Sequence, residues 1–131
     1  MATTLLFVYG TLLRGERNHH LLHDATCLGA ARTEAAYELV DVGGYPAMVP
    51  GGTTAIVGEV YAVDDPALAA IDRLENHPDF YRRTPIHLAD RQWVEVYLLT
   101  RLQAGEMPRL PLGDWRAAAS TPEAMWRDAR R

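Results

Sequence analysis

Only one stretch of this chain carries strong helix signals, and it is short. Pro66–Asn76 opens with Asp65 as N-cap and Pro66 at the first helical position. It must end before Pro78, because a residue preceding proline avoids the α region. Strand-like runs surround it: Leu5–Tyr9, the alternating Ala55–Val63, Tyr81–Leu88 and Trp93–Leu99. Cys27–Val42 is β-prone, and Ala47-Met48-Val49 is a short extended piece between two glycine- and proline-rich turns. Asn18 is placed to cap a second, weaker helix through His23. The connections are too short for repeated βαβ crossovers, which excludes a doubly wound parallel sheet. The pattern predicts an α+β fold: a mixed or mostly antiparallel sheet curled into a small mixed β-barrel with flanking helices. The 131 residues suffice for one domain and not for two ordinary ones. From residue 105 to 131 the chain is rich in Pro, Gly and Arg, and is expected to wrap the surface with Trp115 as anchor.

Composition removes several functions. The net charge of -4 disfavours nucleic acid as a partner. All 13 basic residues other than histidine are arginine, so Schiff-base lysine chemistry is excluded. Cys27 is the only cysteine, which leaves no internal disulfide and no multi-cysteine zinc site. No apolar run approaches the ~20 residues of a membrane span, and the N-terminal run is short for a signal peptide. A cytoplasmic location and no membrane partner are therefore expected.

Chemistry concentrates in two places. The first is Tyr9-Gly10-Thr11-Leu12, just past the first buried strand. Gly10 leaves backbone N–H groups uncovered, and inward-facing N–H groups there form an anion pocket without a charged side chain. A small molecule bearing a carboxylate is the natural guest. The second is Glu75. Ala67, Leu68, Ile71 and Leu74 form an apolar stripe on the helix, and Glu75 falls on it, four residues after Ile71. Asp72 lies at the stripe's edge. A carboxylate on a buried face must be paired, hydrogen-bonded or raised in pKa, and a raised pKa suits a proton-transfer group near neutrality.

Together these residues resemble a family. Val8-Tyr9-Gly10-Thr11-Leu12, with Gly15 and Asn18, is similar to the opening signature of the γ-glutamylcyclotransferase-like proteins, which include γ-glutamylamine cyclotransferases and the plant avirulence-induced-gene-like proteins. Tyr45-Pro46-Ala47, Val57-Gly58-Glu59-Val60-Tyr61, Ile71-Asp72-Arg73-Leu74-Glu75, then Pro78, Tyr81 and Arg82, agree in order and separation. Pro111-Leu112-Gly113-Asp114-Trp115-Arg116 looks like the bacterial branch. The resemblance implies a small mixed β-barrel and an enzyme that cyclises a γ-glutamyl group to 5-oxoproline, releasing the attached amine or amino acid. It implies that Tyr9, Gly10, Thr11 and Leu12 hold the substrate's α-carboxylate, that Glu75 is the catalytic base and acid, and that Tyr81 lines the pocket. The substrate's own amine attacks its own γ-carbonyl, so no cofactor, metal or enzyme nucleophile is implied. Holding the two ends together supplies up to ~7–11 kcal/mol in well-oriented intramolecular reactions. The alternative is a non-catalytic module that keeps the pocket to sense a γ-glutamyl or related carboxylate ligand.

Other candidates read more plainly. His19 and His23 share a helical face, but no further ligand completes a metal set, and His19, His20 and His23 read as exposed helix histidines. Tyr9 suits a core aromatic as well as a ligand contact, and Thr11 suits loop stabilisation as well as ligand binding. Glu59 reads as a solvated strand residue, Arg82 and Arg83 as surface charge, and Cys27 as a small buried residue. The wall facing the leaving group is expected from the loop after Gly43 and the segment near Trp115.

Overall fold

The structure is a computed structural model, and it describes residues 2–119. The part of the expected tail beyond residue 119 lies outside the described residues. Seven strands form one mixed sheet: β1 (Thr3–Val8), β2 (Thr26–Arg32), β3 (Tyr37–Asp41), β4 (Pro46–Pro50), β5 (Val57–Asp64), β6 (Arg82–His87) and β7 (Trp93–Leu98). Three helices accompany them: α1 (Asp65–Leu74), α2 (Arg101–Ala104) and α3 (Trp115–Ala119). The α+β class is as expected. The sheet runs β2-β5-β1-β7-β4-β3 with β6 also on β7, and its end strands β2 and β3 do not meet, so it curls without closing into a barrel. Among the described residues, no helix is long and apolar enough to cross a membrane.

Strand alternation feeds two cores. Leu6, Val8, Tyr61, Val63, Tyr97 and Leu99 belong to one cluster, which α1 covers with Leu68 and Ile71. Phe7, Tyr9, Val60, Val96 and Leu98 alternate with them along the same strands and fill the other. Trp115 packs against both.

β7 is the hub. β6 pairs antiparallel along its whole length, from Arg82 opposite Leu98 to His87 opposite Trp93. β1 and β4 must therefore share its other edge, both parallel to it: β1 joins at Leu6 opposite Glu95, and β4 at Met48 opposite Leu98. Two strands cannot occupy one edge at one level, so β1 and β4 part there. The chain ends beside that fork are Tyr9-Gly10 and Tyr45-Pro46.

Several local expectations change. Asp64, not Asp65, caps α1, its side chain accepting from Ala67 N–H at 2.9 Å. The helix stops at Leu74 rather than Asn76, and Leu74 is exposed rather than on the buried stripe. The Asn18 side chain caps nothing; only a single 3-10 turn, His19–Leu22, follows it. Cys27 is exposed because β2 is a sheet edge whose residues are mostly uncovered.

Candidate active site

The fork holds a cavity of about 370 Å³, lined by the end of β1 and its loop (Phe7–Leu12), by Tyr45 and the first residue of β4, Pro46, and by Glu75, Tyr81 and Tyr97. A wider, outer cavity of about 760 Å³ adjoins it. Thr11, Tyr45, Glu75 and Tyr81 line both. The six residues singled out from sequence, Tyr9, Gly10, Thr11, Leu12, Glu75 and Tyr81, all line the inner cavity.

The tyrosines build its walls. The Tyr9 hydroxyl accepts from Met48 N–H at 3.0 Å and donates to Tyr97 C=O at 2.7 Å, tying β1 to the junction of β4 and β7. The Tyr81 hydroxyl donates to Pro46 C=O at 2.7 Å. Burial drives both phenols well above their ordinary range, so both stay protonated. Their hydroxyls are committed to backbone, and their rings face the cavity.

Gly10 is needed for a reason other than a left-handed turn. A Cβ there would lie 2.6 Å from Pro46 Cγ, so only glycine lets the loop pass the proline ring. The N–H groups of Gly10, Thr11 and Leu12 have no acceptor among the described residues. Asn18 draws the loop closed: its backbone N–H donates to Thr11 C=O and its side-chain amide to Thr11 Oγ1, each at 2.9 Å. His19 Nδ1 lies 2.9 Å from Leu12 C=O. Glu59 is not merely solvated, since its Oε1 accepts from Arg14 N–H and from the Tyr61 hydroxyl, both at 3.0 Å.

Glu75 closes the opposite side. It is the C-cap of α1, its N–H donating to Ile71 C=O at 2.9 Å. Asn76 then turns left-handed at φ 53°, a conformation asparagine tolerates at helix ends. This turn directs the chain away and leaves the Glu75 side chain on the cavity wall. Its half-buried carboxylate has no hydrogen-bond or ion-pair partner among the described residues. Burial alone pushes its pKa from 4.5 up to about 7.

One turn earlier, Asp72 does the opposite. Burial would raise it, but hydrogen bonds from Arg83 and Tyr97 and the Arg83 charge outweigh that and hold it below its ordinary value. Arg83 grips both Asp72 oxygens, Nε at 3.0 Å and Nη2 at 3.1 Å, and reaches Glu95 at 2.7 Å. The Tyr97 hydroxyl donates to Asp72 Oδ1 at 2.6 Å. Arg83 is thus an interior clamp, not the surface charge expected; its alternation with exposed Arg82 on β6 was the available signal. Tyr45, in the loop after Gly43, lines both cavities, as expected of that loop, while Tyr97 and Arg17 join the cavity walls unforeseen. Trp115, expected near a leaving group, lines neither cavity; the outer one is lined by Arg17, Asn18, Leu74, Asn76 and Phe80 with Thr11, Tyr45, Glu75 and Tyr81.

An open mixed sheet with a fork-borne cavity, an unpaired carboxylate and a strip of free N–H groups defines a small-molecule enzyme. The family described as Gamma-glutamyl cyclotransferase, AIG2-like, matches residues 6–117. The chain belongs to that family, and its activity is of the γ-glutamylcyclotransferase type. A Vibrio cholerae protein named putative gamma-glutamylcyclotransferase is 42% identical over 113 residues, covering 85% of this chain and 94% of that one. The Homo sapiens gamma-glutamylaminecyclotransferase is 41% identical over 93 residues, covering 64% and 61%. A crystal structure of an AIG2-like protein from Mus musculus superposes with a TM-score of 0.74 at 27% identity, covering 94% and 93%.

Proposed function

We propose that the protein cyclises a γ-glutamyl compound to 5-oxoproline and frees the attached amine, with Glu75 moving the proton and the Gly10–Leu12 N–H groups holding the α-carboxylate. The observation that carries this reading is the Glu75 carboxylate: unpaired, poised near neutrality and lining the same cavity as Gly10, Thr11 and Leu12, whose N–H groups have no acceptor among the described residues. An anion-binding pocket alone has no use for a second, unpaired carboxylate, which weighs against a pure sensor.

The residues suit each step. Glu75 takes a proton from the substrate's α-ammonium and frees the nitrogen lone pair. That nitrogen attacks the γ-carbonyl, and a C–N bond closes the five-membered ring. Glu75 returns its proton to the leaving nitrogen as the old C–N bond breaks. The ring nitrogen's remaining surplus proton goes to water, and the free amine takes one from water. The protonated phenols of Tyr9 and Tyr81 wall the site without competing for the proton.

The test is Glu75→Gln, which is isosteric and cannot take the proton. 5-Oxoproline formation from a panel of γ-glutamyl compounds is expected to fall by about 10²–10⁴-fold, the usual worth of a general base, with a cooperative melt and near-UV dichroism retained. Turnover near that of the wild type would remove Glu75 from the mechanism.

A further inference from the structure

Glu75 lines both cavities, and this fixes where each half of a substrate lies. On the reading above, the proton passes from the α-nitrogen to the leaving nitrogen at Glu75. With the glutamyl head against the Gly10–Leu12 N–H groups, the leaving group must extend past Glu75 into the outer cavity. Tyr45, Phe80 and Leu74 give that cavity apolar wall, and Asn18 and Asn76 give it amide edges.

Its charges are few. Among the described residues that line it, only Glu75 and Arg17 are ionisable at neutral pH. Arg17 is exposed and makes no ion pair with a described residue, and among the described residues it is the one arginine that lines this cavity. Its position is set by its neighbours: Asn18 is fastened to Thr11 by two hydrogen bonds of 2.9 Å, which brings Arg17 to the mouth beside the loop. An unpaired guanidinium on the wall of a half-apolar cavity favours an anion there and disfavours a cation.

We propose that Arg17 selects the leaving group: the enzyme favours γ-glutamyl compounds whose departing amine carries a carboxylate, as an α-amino acid does, over those releasing a simple or cationic amine. This rests on the cyclisation reading and adds the substrate class to it.

The experiment compares three γ-glutamyl compounds: γ-glutamylalanine, γ-glutamylethylamine (the same compound without the carboxylate) and γ-glutamylputrescine, which ends in an ammonium. For the wild type, kcat/KM for the alanine compound is expected to exceed that for the ethylamine compound about fivefold, the scale of a solvent-exposed ion pair. The preference lies in KM and shrinks as salt rises. Arg17→Gln brings the ratio to about one, and Arg17→Glu turns preference toward the putrescine compound. A wild-type ratio near one, or a ratio unchanged in Arg17→Gln, overturns the assignment of Arg17 while leaving cyclisation intact. No 5-oxoproline from any of the three, nor from a broader γ-glutamyl panel, overturns the cyclisation reading and this one with it.

Discussion

Glu75 is ionised at a cost, because the cavity wall that buries it offers no partner. Its native pKa lies above the unfolded value, so its contribution to stability is full below about 4.5 and lost as the pH rises through about 7. The Glu75→Gln variant escapes that loss. It is expected to melt at a higher temperature than the wild type at about pH 8, with the gap closing near pH 4. The same group predicts that kcat/KM falls on the acid side with an apparent pKa of about 7, visible in a pH–rate profile. Gly10 carries a different prediction: Gly10→Ala drives a methyl into the Pro46 ring and is expected to cost about 1–3 kcal/mol in urea denaturation. At this scale much of the site was legible. Glu75 stood out because an acid four residues after a core isoleucine conflicts with burial, although the helix ends one residue before it. Tyr97 and Arg17 gave no such conflict, since a tyrosine in a strand or an arginine in a loop is unremarkable until the fork decides what faces it, and Tyr45 was read only as part of the loop after Gly43.

The elements hold the site through one polar clamp. Asp72 on α1 meets Arg83 on β6, and Arg83 also meets Glu95 on β7, with the Asp72 and Arg83 side chains only 21% and 20% exposed. The clamp fixes the last turn of α1, and so the carboxylate at its end, against the β6–β7 hairpin. Arg83→Met is expected to cost about 1.5–3 kcal/mol, the range for hydrogen bonds to charged groups. Asp72 is held below its ordinary value, so this contribution is complete above pH about 3.8 and is lost as the pH falls through the lowered one. Wild type and variant are therefore expected to converge in acid denaturation. Element types were readable because period-two runs and the Asp-Pro helix start are local signals. Their ends shifted by a residue or two where tertiary hydrogen bonds decided: Asp64 takes the cap, Asn18 serves Thr11 instead of a helix, and the capping box of α2 at Thr100 and Gln103 went unread.

Across the whole molecule, the alternating strands divide their apolar residues between two cores, and Trp115 touches both. Because Trp115 is only half-buried, Trp115→Ala is expected to cost about 3 kcal/mol, the low end of the range for tryptophan truncation, with one cooperative transition retained in urea. The connection order was only partly legible. Short links ruled out crossover helices, but nothing local announces that β1 and β4 share an edge of β7, and closure into a barrel is decided by how β2 and β3 lie. The fork divides the molecule's freedom to change. The inner cavity is made by strand ends cross-tied through Tyr9, Tyr81 and Gly10, where almost any replacement disturbs a ladder. The outer cavity adds Arg17, Asn18, Leu74, Asn76 and Phe80, which belong to loops and one helix end and carry no sheet register. On the proposed placement, a new leaving group is a matter of Arg17, Asn18, Asn76 and Phe80, which line the outer cavity alone, whereas Glu75, shared by both cavities, must stay where it is.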